Sequence, residues 1–222
     1  MYHFSYFKEK DKEVLMSFLE EHPFAFLTGS FLSGAQVATQ IPVLVEERDG
    51  ELFLKGHFMR NTDHHKAFIE NPNALIVFTG SNTYVSASWY NNPQIGSTWN
   101  YMSVHMTGQL NFMTNDELAR FMRELTLKFE KGNTNSQTIY DNLPDSFLSK
   151  MMPAIVGFEM RAEKIDNVFK LSQNRDEKSY LNIISKLEEQ GGNSALIAKE
   201  MIKRKTQLFP PGIECDGSKF DS

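Results

Sequence analysis

The chain has 222 residues and a mass of 25.5 kDa, with 41% hydrophobic and 23% charged residues. That is enough for one large domain, or one domain with an appendage. The net charge of −5 argues against a generic nucleic-acid coat. The single cysteine, Cys215, excludes an intrachain disulfide and a cysteine-based zinc site. No apolar run approaches the roughly 20 residues of a membrane-spanning helix. The opening Met-Tyr-His-Phe-Ser-Tyr-Phe-Lys has no secretory apolar segment, so a cytoplasmic protein is expected.

Residues 11–22 place Leu15, Phe18 and Leu19 on one helical face, and Pro23 stops that helix. A short β-like run, Phe24–Ser30, follows. Gln36–Val45 is a second strand, and Pro42 within it suggests an edge or a bulge. Asp49-Gly50 is a hairpin signal, from which Glu51–Phe58 returns. Arg60 then leads into a short helix that Asn61 or Thr62 caps and Asn71-Pro72-Asn73 ends. Ala74–Thr79, Tyr84–Ser88 and Thr98–Phe112 read as strands. Thr114-Asn115-Asp116-Glu117 opens a helix whose buried stripe is Leu118, Phe121, Met122, Leu125 and Phe129. A polar loop follows, then a helical turn at Pro144–Met151 and strands at Ile155–Met160 and Val168–Leu171. Residues 176–190 and 194–205 form a helix–turn–helix, and the tail from Phe209 is expected to be loosely held. Hairpin spacing without βαβ alternation predicts a mainly β fold, a small antiparallel barrel with helical decorations.

Thr83–Gly108 is the richest segment for chemistry. It holds both tryptophans, Trp89 and Trp99, among hydroxyls, an amide and an imidazole. Aromatic rings mixed with polar tips suit a flat heteroaromatic ligand. Tryptophan also seeks a partner for its N–H when buried, so plain core is the competing reading for Trp99. Asn100 has poor strand propensity, which favours a functional or bulge role. His105 faces either the barrel or the site. Ser86 and Ser88 beside His105 lack the elbow and the acidic orienter of a hydrolase.

Lys55, His57 and Arg60 stand where a strand runs into a helix start, a natural anion site. Arg60 brings a planar fork suited to phosphate oxygens, and Asn61 and Thr62 bring neutral donors. A solvated charge cluster with an ordinary cap is the alternative. No glycine-rich phosphate loop is present. His64 and His65 are adjacent and point to different helix faces, which disfavours joint metal binding.

Several strings resemble the PaiB family, described as FMN-binding negative transcriptional regulators. They include Gly56-His57, Arg60-Asn61, Ser88-Trp89-Tyr90, Thr98-Trp99-Asn100-Tyr101, Val104-His105 and Lys170-Leu171-Ser172-Gln173-Asn174-Arg175. The match runs in order to about Arg175. The resemblance implies a fold that is mainly β with helices: an FMN-binding split barrel over residues 1–175, of the pyridoxamine-phosphate-oxidase-like kind. A C-terminal helical hairpin over 176–208 and a flexible tail over 209–222 complete the expected organisation. The resemblance also implies a homodimer with FMN along the subunit interface. Arg60, Asn61 and Thr62 would meet the FMN phosphate with His57 near it, Ala38, Thr39 and Gln40 would pass beside the ring, and Trp99, Asn100 and His105 would line the cavity. Gln40 departs from the family, which commonly has histidine there, and Thr62 stands where the family commonly has proline.

Between Lys164 and Lys205 nine Lys and Arg stand against six Asp and Glu. Lys199, Lys203, Arg204 and Lys205 would meet phosphates if the hairpin read DNA. Asn193, Ser194 and Ala195 offer little for base reading, so a hairpin packed on the barrel or on a dimer mate is the favoured expectation. An FMN-dependent oxidoreductase is the alternative to a non-catalytic regulator. No histidine follows His105, which disfavours a haem ligand near the C-terminus.

Overall fold

The computed structural model describes residues 1–92 and 94–210, so Cys215 and most of the expected tail lie outside the described residues. The strands are β1 Phe24–Ser30, β2 Gln36–Pro42, β3 Leu44–Arg48, β4 Glu51–Met59, β5 Asn73–Val85, β6 Thr98–Phe112, β7 Ile155–Arg161 and β8 Lys164–Lys170. The helices are α1 Lys12–Glu21, α2 Asp63–Glu70, α3 Asn115–Phe129, α4 Asp145–Met151, α5 Glu177–Gln190 and α6 Gly192–Leu208. The strand order is β2-β1-β5-β6-β7-β4-β3, with β8 also on β6. This is the mainly β, helix-decorated architecture expected from hairpin spacing.

Some boundaries differ from the sequence expectation. The Gln36–Val45 run divides into β2 and β3 at Val43, whose N–H donates to the Pro23 carbonyl at 2.8 Å, one step beyond the Phe24–Pro42 pair. Tyr84 and Val85 belong to one long strand with Ala74–Thr79, since pairing through β5 overrides the poor propensity of Gly80-Ser81-Asn82. Phe129 is half exposed and leaves the buried stripe of α3.

The chain forms two compact units. One comprises residues 17–78 and 105–165. Within it β4 pairs antiparallel with β7, Lys55 opposite Glu159 and His57 opposite Gly157. Alternation then sorts β4 by face. Leu54, Gly56 and Phe58 are buried, while Phe53, Lys55 and His57 point the other way. α3 covers the second face, packing Leu118, Phe121 and Leu125 against Leu44 and Ile155. Its start is fixed by a reciprocal cap between Thr114 and Glu117, worth about 1 kcal/mol. Gly157 allows this approach, since a Cβ there would lie 2.7 Å from the Met113 sulfur.

The other unit comprises residues 1–16, 79–104 and 166–210 of the described chain. Its N-terminal segment is clasped by β8. Asn167 exchanges two hydrogen bonds with the backbone of Glu9, at 2.8 and 3.0 Å, and Lys8 pairs with Asp166 at 2.6 Å. Arg204 of α6 closes on Glu9 at 2.9 Å. The α5–α6 hairpin belongs to this unit, where Tyr180 donates to the Met201 carbonyl at 2.9 Å.

Gly108 is closely enclosed, because a Cβ there would stand 2.1 Å from the Arg161 carbonyl oxygen. Backbone yields less readily than a side-chain tip. The Gly108→Ala variant is therefore expected to lose about 2 kcal/mol or more of stability, measured by urea unfolding. A midpoint equal to that of the parent would contradict this packing.

Candidate functional site

The Arg60 corner grows out of the end of β4. The Arg60 amide donates to the Ala154 carbonyl at 2.8 Å, continuing the line of β7. Its side chain then turns back on the same segment. Nε donates to the Pro153 carbonyl at 3.1 Å and Nη2 to the Ile155 carbonyl at 3.0 Å. These bonds fix the plane of the fork.

Asn61 follows in the left-handed region, φ 65°, a conformation that asparagine tolerates better than most residues. Its amide donates to His65 Nδ1 at 3.0 Å. The His65 proton therefore resides on Nε2. Thr62 caps α2 by accepting from the His65 amide, and its hydroxyl donates to the Met59 carbonyl at 2.8 Å. The His64 amide donates to Asp63 at 2.7 Å. That bond, the largest cause, holds the Asp63 pKa below the ordinary carboxylate range. The first turn of α2 is thus already supplied with acceptors by Thr62 and Asp63. Any anion here meets Arg60 rather than an open helix end.

Beside Arg60 lies an open cavity of about 590 Å³, lined by Arg60, His65, Ile69, Phe112, Met113, Thr114, Asn115 and Val156. No carboxylate is among these lining residues, and four of them are apolar. The size falls within the range of small-molecule sites.

His57 sits on the α3 side of β4, its ring centroid 5.9 Å from that of Phe121. Its Nδ1 is buried, with no hydrogen-bond partner among the described residues. Lys55, next on this face, pairs with Glu46 at 2.7 Å and with Glu124 at 3.4 Å. Burial opposes its charge, yet the two carboxylates hold its pKa above the ordinary lysine value. Lys55 is therefore committed to ion pairs.

Ala38, Thr39 and Gln40 lie on β2, at one end of the strand order, opposite Thr28, Leu27 and Phe26 of β1. Ala38 and Gln40 are exposed on one face, while Thr39 shares the other face with buried Val37 and Ile41. α2 packs against both strands, so these residues and the Arg60 corner belong to one unit. His105, half-buried on β6, belongs to it as well. Trp99 and Asn100 belong to the other unit. Trp99 is 55% exposed, edge-on to Tyr84 with centroids 6.0 Å apart. Asn100 is fully buried. Its side chain accepts from Ser172 Oγ at 3.0 Å and donates to Met201 Sδ at 3.6 Å.

Residue types alone did not point to the acceptors around Arg60, because any residue offers a carbonyl. Phe112 and Thr114-Asn115 read only as a strand end and a helix start. His65 was visible, but only as a poor metal ligand.

Residues 1–164 match the model of the family described as "Putative FMN-binding domain". The chain belongs to this family. It is 32% identical over 205 residues to Protease synthase and sporulation protein PAI 2 of Bacillus subtilis, covering 92% of this chain and 98% of that one. The PaiB kinship expected from the motifs is thereby met, and FMN is the cofactor this family is described as binding. A second relative, Uncharacterized protein AN0679 of Emericella nidulans, is 22% identical over 90% of this chain and 95% of its own. The fold resembles the FAD and heme binding protein from Mycobacterium smegmatis, at TM-score 0.55 and 20% identity, covering 73% of this chain and 72% of that one. It also resembles the flavocytochrome Anf3 from Azotobacter vinelandii, at TM-score 0.54 and 16% identity, over 76% and 72%. At these identities the likeness shows the fold alone. Among the described residues no helix is long and apolar enough to cross a membrane.

Both site histidines have pKa values below the ordinary range. Burial is the cause for His57; for His65 burial comes first, then the positive charges of Arg60 and His64. Unfolded, each would take up a proton near pH 6.5. Their neutral forms therefore contribute stability that is whole above that pH and is lost as pH falls through the folded values. The urea midpoint of the flavin-free protein is expected to drop between about pH 6.5 and pH 5, above the range where carboxylates titrate. The drop should shrink in a His65→Gln variant. A midpoint flat across this window would contradict the assignment.

Proposed function

We propose that this chain is an FMN-binding regulator of the PaiB kind, acting as a homodimer, with Arg60 holding the FMN phosphate. One observation carries the phosphate assignment: a guanidinium clamped by two backbone carbonyls faces a cavity whose lining has no carboxylate. A pre-oriented fork loses less freedom when it grips an anion. Ile69, Phe112, Met113 and Val156 offer apolar walls for the ring. Asn61 and Thr62 shape the corner, and His57 backs it from the α3 side. Ala38, Thr39 and Gln40 would run along the flavin. Trp99 and His105 would come from the partner subunit, with Asn100 supporting Trp99 from inside its own unit. Bound FMN supplies a ring able to accept a hydride.

The regulator reading rests on the family resemblance. Direct DNA contact has less behind it. Lys203 pairs with Glu200 at 2.6 Å, and Arg204 is held by Glu9 and Glu200. The hairpin's cations are thus partly neutralised within the unit, and a gel shift at moderate salt is expected to show no complex. The competing reading is an FMN-dependent oxidoreductase, and the flavin spectrum separates the two. The purified protein should be yellow and should bleach slowly with NADH or NADPH. Rapid catalytic bleaching would replace the regulator with the oxidoreductase.

Replacing Arg60 by alanine is expected to weaken FMN binding by about tenfold to a hundredfold, or roughly 1.5–3 kcal/mol. Arg60→Lys keeps the charge without the fork and should fall between the two. Flavin fluorescence titration reads both variants, and an Arg60→Ala protein with unchanged affinity would refute the phosphate assignment.

A further inference from the structure

Arg60 spends part of its fork on the Pro153 and Ile155 carbonyls. A phosphate offers three strong acceptor oxygens, more than the rest of one guanidinium fills. The other polar side chains in the wall of the same cavity are His65, Thr114 and Asn115. Thr114 is engaged in its reciprocal cap with Glu117, and Asn115 is exposed to solvent. His65 differs, because it is only 7% exposed and still forms part of the cavity wall.

Its ring is held firmly. Nδ1 accepts from the Asn61 amide at 3.0 Å, the Phe112 ring meets it edge-on with centroids 5.5 Å apart, and the Phe58 ring lies tilted at 6.2 Å. That amide belongs to the peptide unit joining Asn61 to Arg60, so the imidazole is tied to the backbone that carries the clamped arginine. The same bond decides the tautomer. With Nδ1 an acceptor, the one proton of the neutral ring is on Nε2. Burial, and after it the positive charges of Arg60 and His64, keep the ring neutral. A second proton would have to enter at Nδ1 and break the bond from Asn61. The ring therefore donates from Nε2 alone, and Nε2 has no hydrogen-bond partner among the described residues. A donor on a nearly buried side chain calls for an acceptor. A phosphate oxygen in the cavity supplies one, and its charge makes the bond stronger than a bond to a neutral group.

We propose that His65 is a second phosphate ligand of the flavin site, donating from Nε2 to a phosphate oxygen while Arg60 supplies the charge. The inference rests on the reading of Arg60 given above and adds a specificity role to it. The pair selects a phosphorylated flavin over riboflavin, with a directional neutral donor beside a point of positive charge.

Asparagine and glutamine separate the two ring nitrogens. In His65→Asn the side-chain carbonyl takes the place of Nδ1 and still accepts from Asn61, whereas the Nε2–H is lost. In His65→Gln the longer side chain carries its amide N–H out to about the place of Nε2. Fluorescence titration of the flavin-free full chain with FMN and with riboflavin gives an affinity ratio for each protein. The proposal expects that ratio to fall about tenfold in His65→Asn, through loss of FMN affinity, and to stay nearer the parent in His65→Gln. The parent protein supplies an independent reading that needs no variant. In nitrogen NMR of its imidazoles, His65 is expected in the Nε2–H form, with an Nε2 resonance that moves on adding FMN and stays in place with riboflavin. A ratio unchanged in His65→Asn, the reverse order of the two variants, or an Nε2 resonance that FMN leaves in place would overturn the role of His65 while the Arg60 reading stands. Equal affinities for FMN and riboflavin in the parent would overturn both.

Discussion

The pairing of β4 with β7 is the constraint on which the candidate site depends. Its register puts His57 opposite Gly157 and Lys55 opposite Glu159. A slip of one residue would exchange the buried and α3-facing sets of β4. Because β7 is preceded by Pro153 and Ala154, the same ladder brings their carbonyls alongside Arg60. The arginine is therefore oriented by backbone that the sheet has already fixed. Side-chain clamps from a loop would hold it less firmly.

Local charge then decides what the corner can do. Lys55 is absorbed by Glu46 and Glu124, and Arg48 by Glu159 and Glu46. The first turn of α2 is absorbed by its own cap and by Asp63. Arg60 borders a cavity lined without carboxylates. An anion-binding role follows from this arrangement more directly than from the number of basic residues nearby.

Much of the fold was legible in the sequence because periodicity reports burial. The α3 stripe and the alternation in β4 both translate into packing. Phe129 failed at the last residue of α3, where it stands half exposed. β5 was read as two pieces because Gly80-Ser81-Asn82 lacks strand propensity, and only pairing with neighbouring strands overrides that. Arg60 was legible through its chemistry and its place before a helix cap. The carbonyls that orient it were not, since backbone acceptors leave no mark in residue identity. The Ser172-Gln173 pair illustrates the converse. Serine and glutamine are residue types found mostly at the surface, yet Ser172 takes φ 62° and both side chains turn inward.

The central claim is that Arg60 reads the phosphate of a bound flavin. The most direct measurement compares the affinities of FMN and riboflavin for the same flavin-free protein, because the two ligands share the ring and differ in the phosphate. The account predicts FMN tighter by about tenfold or more, with the gap narrowing as salt rises. Equal affinities would place the recognition on the ring alone and contradict it.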